Sequence, residues 1–389
     1  MRIKNGLVFE ENGTFVKRDL WIRNGRIAET PKGKDAELSA SMNSAADLLS
    51  EAVNAEDQVI DAGGLMVVPG FVDVHTHGAM AHDFCDGSVE GLELIAEHHK
   101  RHGITAFCPT SMTLGEDRLA KAFASVKDFT WTPNRARIAG INMEGPFIAK
   151  EKKGAQNEAY IKAPDVDMFR RLNELSGGVV KLVTLAPETE GAEDFIRELE
   201  GEVEVSIGHT MANYETARRA VLAGAHHITH LYNAMPAFLH RNPGVVGAAA
   251  ENKDVMAELI CDGLHVHPSM VRAAYKLFGE DRLILISDSV EAVGMDDGIY
   301  ELGAQKVFKE GTKVTLEDGT LAGSASNLYD CFLKAVKFGI PLASALKMVT
   351  VNPARSIHME DKVGTFRTGA FADVLLMNNQ LEIVKIISE

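Results

Sequence analysis

The chain has 389 residues, of which 46% are hydrophobic, enough for one large domain and a small one. It carries 40 Lys and Arg against 55 Asp and Glu, a formal net charge of −15, which argues against nucleic acid as a partner. Four widely spaced cysteines, no apolar leader and no run of about 20 apolar residues predict a cytoplasmic protein with reduced thiols and no membrane segment.

Short antiparallel strands are predicted over residues 1–30, where apolar and polar residues alternate. Asn-Gly pairs at 5–6, 12–13 and 24–25 are typical of hairpin turns between such strands. Residues 31–57 are polar, acidic and rich in Ser and Ala, which predicts a surface insertion. Residues 58–68 return to a strand pattern with a Gly-Gly turn.

From residue 71 onward, apolar runs alternate with amphipathic stretches. The eight runs are 71–75, 104–110, 138–144, 179–187, 203–209, 226–230, 256–262 and 283–288. The predicted helices are 88–102, 116–129, 165–176, 190–200, 213–224, 268–279, 326–339 and 341–350. Eight strand–helix units favour an α/β fold of the (β/α)8 TIM-like barrel type. The alternative, a doubly wound sheet, predicts a Gly-rich phosphate loop after the first strand, and HTHGAMAH is not such a loop.

The C-terminal tail, from residue 364, contains two further strand patterns at 372–376 and 381–387. These could pair with the N-terminal strands, so that both ends of the chain build one small β-sandwich domain. The predicted boundaries are 1–69 for its first part, with the insertion 31–57, then 70–362 for the barrel and 363–389 for its second part.

Polar residues recur at the ends of the apolar runs. In a (β/α)8 barrel, chemistry is found at the C-terminal ends of the strands, so these side chains are expected to meet there. They are His75 and His77, Glu144, His209, His230, Asp262 and His265, and Asp288. Because a strand's side chains alternate between its faces, His75 and His77 point the same way.

A divalent metal site is the chemistry that this set of donors indicates. Imidazole and carboxylate ligands without a thiolate suit Zn²⁺, Fe²⁺, Co²⁺ or Mn²⁺ and argue against a structural Cys-rich zinc site. A bound metal lowers the pKa of its water toward neutrality and polarises a carbonyl. Asp288 is the candidate to take the proton of that water and return it to the leaving group.

Seven sequence motifs resemble those of the N-acetylglucosamine-6-phosphate deacetylases, a family of the amidohydrolase superfamily, and the likeness covers almost the whole chain. In order they are PGFVDVHTHG, NMEGPF, SIGHT, THLYNAMPAFLHRNPG, CDGLHV, LISDSVEAVG and LAGSASNL. The resemblance implies a metal-dependent enzyme of amino-sugar catabolism, which removes acetate from N-acetylglucosamine 6-phosphate.

Particular residues take roles from this resemblance. It implies that Glu144, His209 and His230 bind the catalytic metal and that Asp288 is the acid and base. The residues implied in substrate binding are Asn233, the backbone of Ala234, Arg241, His265, and Leu321, Ala322 and Gly323 of the LAGSASNL motif. In the family the arginine equivalent to Arg241 can reach in from a partner subunit, which implies a homodimer.

Two positions are ones at which members of the family differ. Members that keep both first-strand histidines can hold a second metal, so His75 and His77 allow two metals per chain. Gln156 stands where some relatives carry a histidine near the acetamide, and it would be a weaker polarising donor.

Two other functions fit the same scaffold. One is an amidohydrolase acting on a cyclic amide or an aminopurine, for which Arg241 would have no use. The other is a non-catalytic sugar-phosphate sensor, which predicts a lost ligand or a lost Asp288, whereas the chain keeps them all. His98 and His102, four residues apart, are predicted to lie on a solvated helix face rather than in a second metal site.

Overall fold

A computed structural model of the chain describes residues 1–30 and 58–389. The described residues divide into two compact units, Met1–Pro69 with Thr365–Glu389, and Gly70–Gly364. The segment 31–57, predicted to be a surface insertion, lies outside the described residues.

In its described residues, 1–30, 58–69 and 365–389, the small unit consists of short strands, numbered here in chain order through the whole protein. They are β1 (Arg2–Lys4), β2 (Leu7–Phe9), β3 (Phe15–Lys17), β4 (Leu20–Arg23), β5 (Arg26–Ala28), β6 (Val59–Asp61), β7 (Met66–Pro69), β22 (Val374–Met377) and β23 (Ile383–Ile387). They form two sheets, ordered β5-β4-β1-β6 and β23-β22-β7-β2-β3. Both sheets contribute buried apolar side chains to one core, including Ile22 from the first sheet and Val67 and Leu376 from the second. The predicted β-sandwich made from both ends of the chain is confirmed.

The three Asn-Gly pairs have different outcomes. Asn24 and Gly25 form a two-residue hairpin between β4 and β5, both with positive φ (51° and 69°), as a type I′ turn requires. The pair at 12–13 lies in the loop that joins the antiparallel strands β2 and β3. The hairpin predicted at 5–6 is wrong, because β1 pairs with β4 and β6 while β2 pairs with β3 and β7. That turn carries the chain from one sheet to the other.

The large unit contains the eight parallel strands that the apolar runs predict. They are β8 (Phe71–Thr76), β11 (Ile104–Ser111), β13 (Ile141–Glu144), β14 (Val180–Leu185), β15 (Glu204–Ile207), β16 (His227–Ile228), β17 (Met256–Ile260) and β18 (Leu283–Ile286). They pair in sequence order, and a short strand β12 (Arg137–Ile138) pairs with β11 as well. Beyond the end of β18 the ring closes on β8, since Asp288 N donates to His75 O (3.0 Å) and His77 N donates to Ser289 O (2.8 Å). The (β/α)8 barrel is confirmed, and the doubly wound sheet is excluded.

Helices follow the barrel strands. They are α1 (Val89–Arg101), α2 (Glu116–Asp128), α3 (Val166–Ser176), α4 (Ala192–Glu198), α5 (Tyr214–Ala223), α6 (Gly244–Glu251), α7 (Pro268–Phe278), α8 (Leu328–Lys337), α9 (Leu342–Val349) and α10 (Val351–Ser356). Ser88, Asp165, Asn213 and Asn327 cap the first turns of α1, α3, α5 and α8 with their side chains, which explains where these helices begin. Among the described residues, no helix is long and apolar enough to cross a membrane.

Some elements of the large unit carry no clear sequence signal. A hairpin of β9 (Gly78–Ala79) and β10 (His82–Asp83) follows β8, and a three-stranded antiparallel sheet follows β18. The sheet consists of β19 (Gly298–Leu302), β20 (Gln305–Glu310) and β21 (Lys313–Thr315). The solvated helix face predicted for His98 is wrong, because its side chain is buried beside Gly294.

Candidate active site

Six polar side chains converge at the C-terminal ends of the barrel strands. His75 is the second-to-last residue of strand β8 and His77 lies just beyond the strand, and the others end or follow β13, β15, β16 and β18. All six residues are buried: His75, His77, Glu144, His209, His230 and Asp288. Buried charges and imidazoles at this density are stable only when they neutralise one another or bind a cation.

One group of potential ligands is Glu144, His209 and His230. Glu144 Oε1 lies 3.1 Å from His209 Nε2 and 3.1 Å from His230 Nε2, and the two nitrogens are 3.1 Å apart. The two imidazole nitrogens and the carboxylate oxygen thus surround one small volume. This is the donor set expected of a catalytic divalent metal.

A second group of potential ligands is His75, His77 and Asp288. Asp288 Oδ1 lies 3.6 Å from His75 Nε2 and 3.3 Å from His77 Nε2. Glu144 also faces this group, at 3.5 Å from His75 Nε2 and 3.4 Å from His77 Nε2. One carboxylate therefore lies between the two groups, as a bridging ligand of a two-metal site does.

Hydrogen bonds on the far side of three imidazole rings fix which nitrogen faces the centre. His75 Nδ1 lies 2.9 Å from Glu258 Oε2, His77 Nδ1 lies 3.1 Å from the Thr110 carbonyl, and His209 Nδ1 lies 2.8 Å from the Lys152 carbonyl. Carbonyl and carboxylate oxygens accept, so each Nδ1 donates, and Nε2 is the nitrogen that would bind a metal in place of a proton. These residues fit a divalent metal in donor type, geometry and tautomer.

Opposite charges dominate the electrostatics of the cluster. Burial alone would raise the pKa of Glu144, but His209 and His75 outweigh it and hold that pKa well below the usual range. Burial alone would lower the pKa of His75, but Glu258 and then Glu144 raise it to about 10. The pKa of Asp288 is likewise held below its usual value, against burial, by its hydrogen bond to His77 and by the charge of His75. The cluster is thus built to hold positive charge among its carboxylates.

Three of the six residues have a left-handed backbone conformation. φ is 46° at His209, 28° at His230 and 48° at Asp288. Side-chain-bearing residues rarely adopt such angles, and those that do are often found where function requires a particular side-chain direction. The strand ends turn sharply here, which aims all three side chains at the centre.

A cavity of about 390 Å³ opens onto the cluster. Of the residues predicted to bind substrate, those that line it are Gln156, Asn233, Ala234, His265, Leu321 and Gly323. Ala322 is fully buried and does not line the cavity. Arg241 is exposed, lies outside the cavity lining and contacts His240 Nε2 at 2.5 Å. Within one chain, the structure therefore does not bring Arg241 to the other predicted residues.

Comparison with known proteins places the chain in a family. The sequence profile of the amidohydrolase family matches residues 66–388. The N-acetylglucosamine-6-phosphate deacetylase of Bos taurus is 34% identical over 386 residues, which cover 95% of this chain and 90% of the relative. That of Bacillus subtilis is 34% identical over 328 residues, covering 83% of each chain. The chain belongs to this deacetylase family of amidohydrolases.

Solved structures agree with this assignment. The N-acetyl-D-glucosamine-6-phosphate deacetylase of Mycobacterium smegmatis, a variant in complex with N-acetyl-D-glucosamine 6-phosphate, is 29% identical with a TM-score of 0.86. The match covers 100% of this chain and 97% of that one. The deacetylase from Pasteurella multocida is 27% identical with a TM-score of 0.87, covering 100% and 97%. The family likeness thus extends over both units of the fold.

Among the deacetylase residues predicted to bind substrate, His265 has a defined electrostatic partner. Its Nδ1 lies 2.8 Å from Asp262 Oδ2, and Asp262 Oδ1 accepts from the backbone nitrogens of Leu264 and His265. Burial alone would lower the pKa of His265, but the hydrogen bond to Asp262 raises it. The ring is therefore favoured as an imidazolium that faces the cavity.

Gln156 contacts the metal-binding cluster directly. Its Nε2 donates to Glu144 Oε2 at 2.5 Å, and its Oε1 accepts from Thr113 N at 2.6 Å. The side chain is buried and fixed at both ends. Gln156 therefore orients the Glu144 carboxylate, a contact that the sequence pattern did not predict.

Several residues that shape this deacetylase site were missed by sequence reasoning. Glu258 is one, although a glutamate inside the apolar run 256–262 was a signal that could have identified it. Lys152 and Thr110 act through backbone carbonyls, which carry no side-chain signal. Met112 and Leu302 contribute apolar surface to the cavity from distant parts of the chain.

Proposed function

We propose that this amidohydrolase cleaves the acetamide of N-acetyl-D-glucosamine 6-phosphate, giving D-glucosamine 6-phosphate and acetate, as a step of amino-sugar catabolism. The observation that carries the proposal is the buried cluster of six nitrogen and oxygen donors at the floor of a sugar-sized cavity. Relatives 34% identical over most of the chain are named for this activity, and a structural relative holds this sugar phosphate.

The residues divide between one or two divalent metals. Glu144, His209 and His230 would hold the first, and His75, His77 and Asp288 a second, with Glu144 between them. A bound metal supplies Lewis acidity, which polarises the amide carbonyl and makes a water acidic enough to attack at neutral pH. Nitrogen and oxygen donors without thiolate favour Zn²⁺, with Fe²⁺, Co²⁺ or Mn²⁺ as alternatives.

Asp288 moves the proton. Its carboxylate is nearly buried but lines the cavity, where it can accept a proton from the attacking water and pass it to the leaving nitrogen. A lowered pKa keeps this group ionised at neutral pH, so it begins the reaction as a base. Its backbone is held on both sides, because Asp288 N donates to His75 O and Ser324 N donates to Asp288 O. The carboxylate therefore stays in position while the proton moves.

Substrate recognition falls to residues around the cavity wall. His265, as an imidazolium, would bind the phosphate, with Asn233 and the backbone of Ala234 beside it. Leu321, Ala322 and Gly323 belong to one loop, and the first and last of them line the cavity. Gln156 would lie near the acetamide because it already contacts Glu144.

Arg241 completes the phosphate site from a second subunit in this proposal. Its side chain is exposed and lies outside the cavity lining of its own chain. Its neighbours Phe238 and Leu239 are 41% and 52% exposed, an apolar pair suited to a protein interface. A guanidinium matches phosphate oxygens in a bidentate way. The active unit would then be a homodimer.

The test is acetate release from N-acetylglucosamine 6-phosphate by the purified protein, compared with an Asp288→Asn variant. The amide cannot shuttle a proton, so we expect turnover to fall on the order of a hundredfold or more. Asn keeps the shape and one oxygen, and the metal of Glu144, His209 and His230, a group that does not include Asp288, is therefore expected to remain bound. Near-native turnover of the variant would show that Asp288 is not the acid and base, and no acetate release by the wild type would refute the activity itself.

A further inference from the structure

Glu258 is a buried carboxylate inside the barrel to which the proposed mechanism gives no task. It lies in the middle of β17 with only 1% of its side chain exposed. An ionised carboxylate at such a place is costly unless hydrogen bonds and positive charge compensate it. Its contacts therefore indicate what it does.

Both groups of potential metal ligands are in contact with this one residue. Glu258 Oε2 accepts from His75 Nδ1 at 2.9 Å and from the backbone nitrogen of His230 at 3.0 Å. The Glu258 carbonyl accepts from Leu231 N at 2.8 Å. The end of the sixth barrel strand, which carries His230, is thus held by the side chain and the backbone of Glu258.

We propose that Glu258 is a positioning residue that couples the two metal-binding groups and sets the occupancy of the group that contains His75. By accepting from Nδ1, it fixes His75 in the tautomer whose Nε2 faces the centre. Carboxylates in this position also raise the basicity of the imidazole and thereby its affinity for metal. The same oxygen holds the backbone of His230, so the two groups keep a fixed spacing.

Charge balance supports this role. Glu144, Glu258 and Asp288 are all buried, and together they carry three negative charges. Histidines that bind metal are neutral, so they add no charge to this sum. One divalent cation therefore leaves a net charge of −1 in the cluster, and two divalent cations give a net charge of +1. Without the charge of Glu258, the two remaining carboxylates are balanced by a single divalent ion. Removal of this charge should therefore weaken the second ion more than the first.

The inference rests on the same metal centre as the proposed function, and it is tested by metal content rather than by turnover. Wild-type protein, Glu258→Gln and Ser206→Ala are stripped with a chelator and titrated with Zn²⁺, and bound zinc per chain is measured by mass spectrometry. Ser206 is a buried polar residue of the same barrel that bonds to His227 and Thr229, and the structure gives it no contact with the six ligands.

Two zinc ions per chain are expected for the wild type and for Ser206→Ala. Gln keeps the shape but loses the charge, so Glu258→Gln should lose affinity for one ion by about 10- to 100-fold and keep the other. In a His75→Asn background, Glu258→Gln should cause no further loss of zinc, because its effect passes through His75. Equal affinities in Glu258→Gln and the wild type, or a wild type that binds a single ion, would overturn the inference.

A measurement that does not use Glu258→Gln keeps the inference falsifiable if that variant does not fold. In protein labelled with ¹⁵N-histidine, the His75 ring is expected to carry its proton on Nδ1, with a strongly downfield proton resonance that is absent from His75→Asn. A proton on Nε2 of His75 in the zinc-loaded protein would overturn the inference. Two bound ions without acetate release would instead refute the proposed function alone.

Discussion

At the scale of single residues, the pair of Asp262 and His265 predicts that substrate binding depends on pH. The carboxylate stabilises the imidazolium, and the pKa of His265 is raised although burial opposes this. Asp262→Asn removes that charge but keeps an oxygen for the loop amides. The pKa of His265 should then fall, so that the ring loses its proton at lower pH.

In both proteins, KM for N-acetylglucosamine 6-phosphate should increase as the pH is raised and His265 loses its proton. We therefore expect this increase to begin at a lower pH in Asp262→Asn than in the wild type. Below the pKa of His265 in the variant, the two proteins should have similar KM, because the imidazolium is then present in both. The measurement is KM against pH for both proteins, with unphosphorylated N-acetylglucosamine as the control substrate. Parallel profiles on the phosphorylated sugar would contradict a role of His265 in binding phosphate.

The sequence predicted the residues whose side chains end a strand, and it missed those that act from elsewhere. Strand-end position is visible in a hydrophobic pattern, which is why His75, Glu144 and Asp288 could be assigned to one place before any coordinates. Glu258 lies in mid-strand, and Lys152 contributes only a carbonyl. Position in a run therefore identifies donors to the centre but not the groups that orient them.

At the scale of elements, β8 carries His75, and His77 follows directly after the end of this strand. His75 and His77 lie 5.2 Å apart between ring centroids, and both point at Asp288. The double change His75→Gln and His77→Asn should lower metal content from about two ions to about one per chain. Partial activity should survive, because one metal can still activate a water.

Metal analysis and acetate release on the same preparation check that prediction. The matched control is His267→Ala, because His267 caps α7 with its side chain and does not line the cavity. A wild-type enzyme that reaches full activity with one metal, and gains none on further titration, would contradict a functional second ion.

Gly208 connects β15 to His209 at a point where no side chain fits. A Cβ there would lie 2.6 Å from Thr229 Cβ and 2.9 Å from Thr184 Cγ2. Gly208→Ala should therefore destabilise the protein by about 1–3 kcal/mol, seen as a lower midpoint of urea unfolding. Gly298→Ala is the control, since its nearest neighbour is Tyr300 at 3.6 Å. Equal midpoints for the two variants would show that the barrel relaxes around the added methyl group.

Elements whose hydrophobic residues recur with a clear period were predicted from the sequence, and elements without such a period were not. The barrel strands and the amphipathic helices lie within a few residues of their predicted bounds. Helix α6 was missed because its sequence, GVVGAAAE, is apolar all round and nearly all of it is buried. The sheet β19–β21 was missed because its strands alternate weakly and lie in a segment that a minimal barrel does not require.

At the scale of the whole molecule, the proposed homodimer gives Arg241 its role. Arg241→Ala should raise KM for the phosphorylated sugar far more than for unphosphorylated N-acetylglucosamine. If the residue serves the neighbouring subunit, a mixture of Arg241→Ala and Asp288→Asn chains should form hybrid dimers with one intact site. That site combines Asp288 of one chain with Arg241 of the other.

Acetate release by the mixed chains at low substrate concentration checks this, after subunit exchange. We expect the mixture to release acetate faster than either variant protein does by itself. The two variants assayed separately should show no such increase. A mixture no more active than its parents, with hybrids demonstrated by mass, would show that Arg241 acts within its own chain or not on the phosphate.

The ring of strands closes through residues of the site itself. Thr76 and Ser289 share a hydrogen bond of 2.6 Å between hydroxyls that are 213 residues apart in the chain, and both neighbour residues whose side chains face the centre. A cation held by His75, His77 and Asp288 would link the end of β8 to the segment that follows β18. Closing so long a loop costs chain entropy, and a ligand that binds only the closed form offsets it. Removal of the metal would then abolish activity and would also make the join between the first and last barrel strands more accessible to proteases.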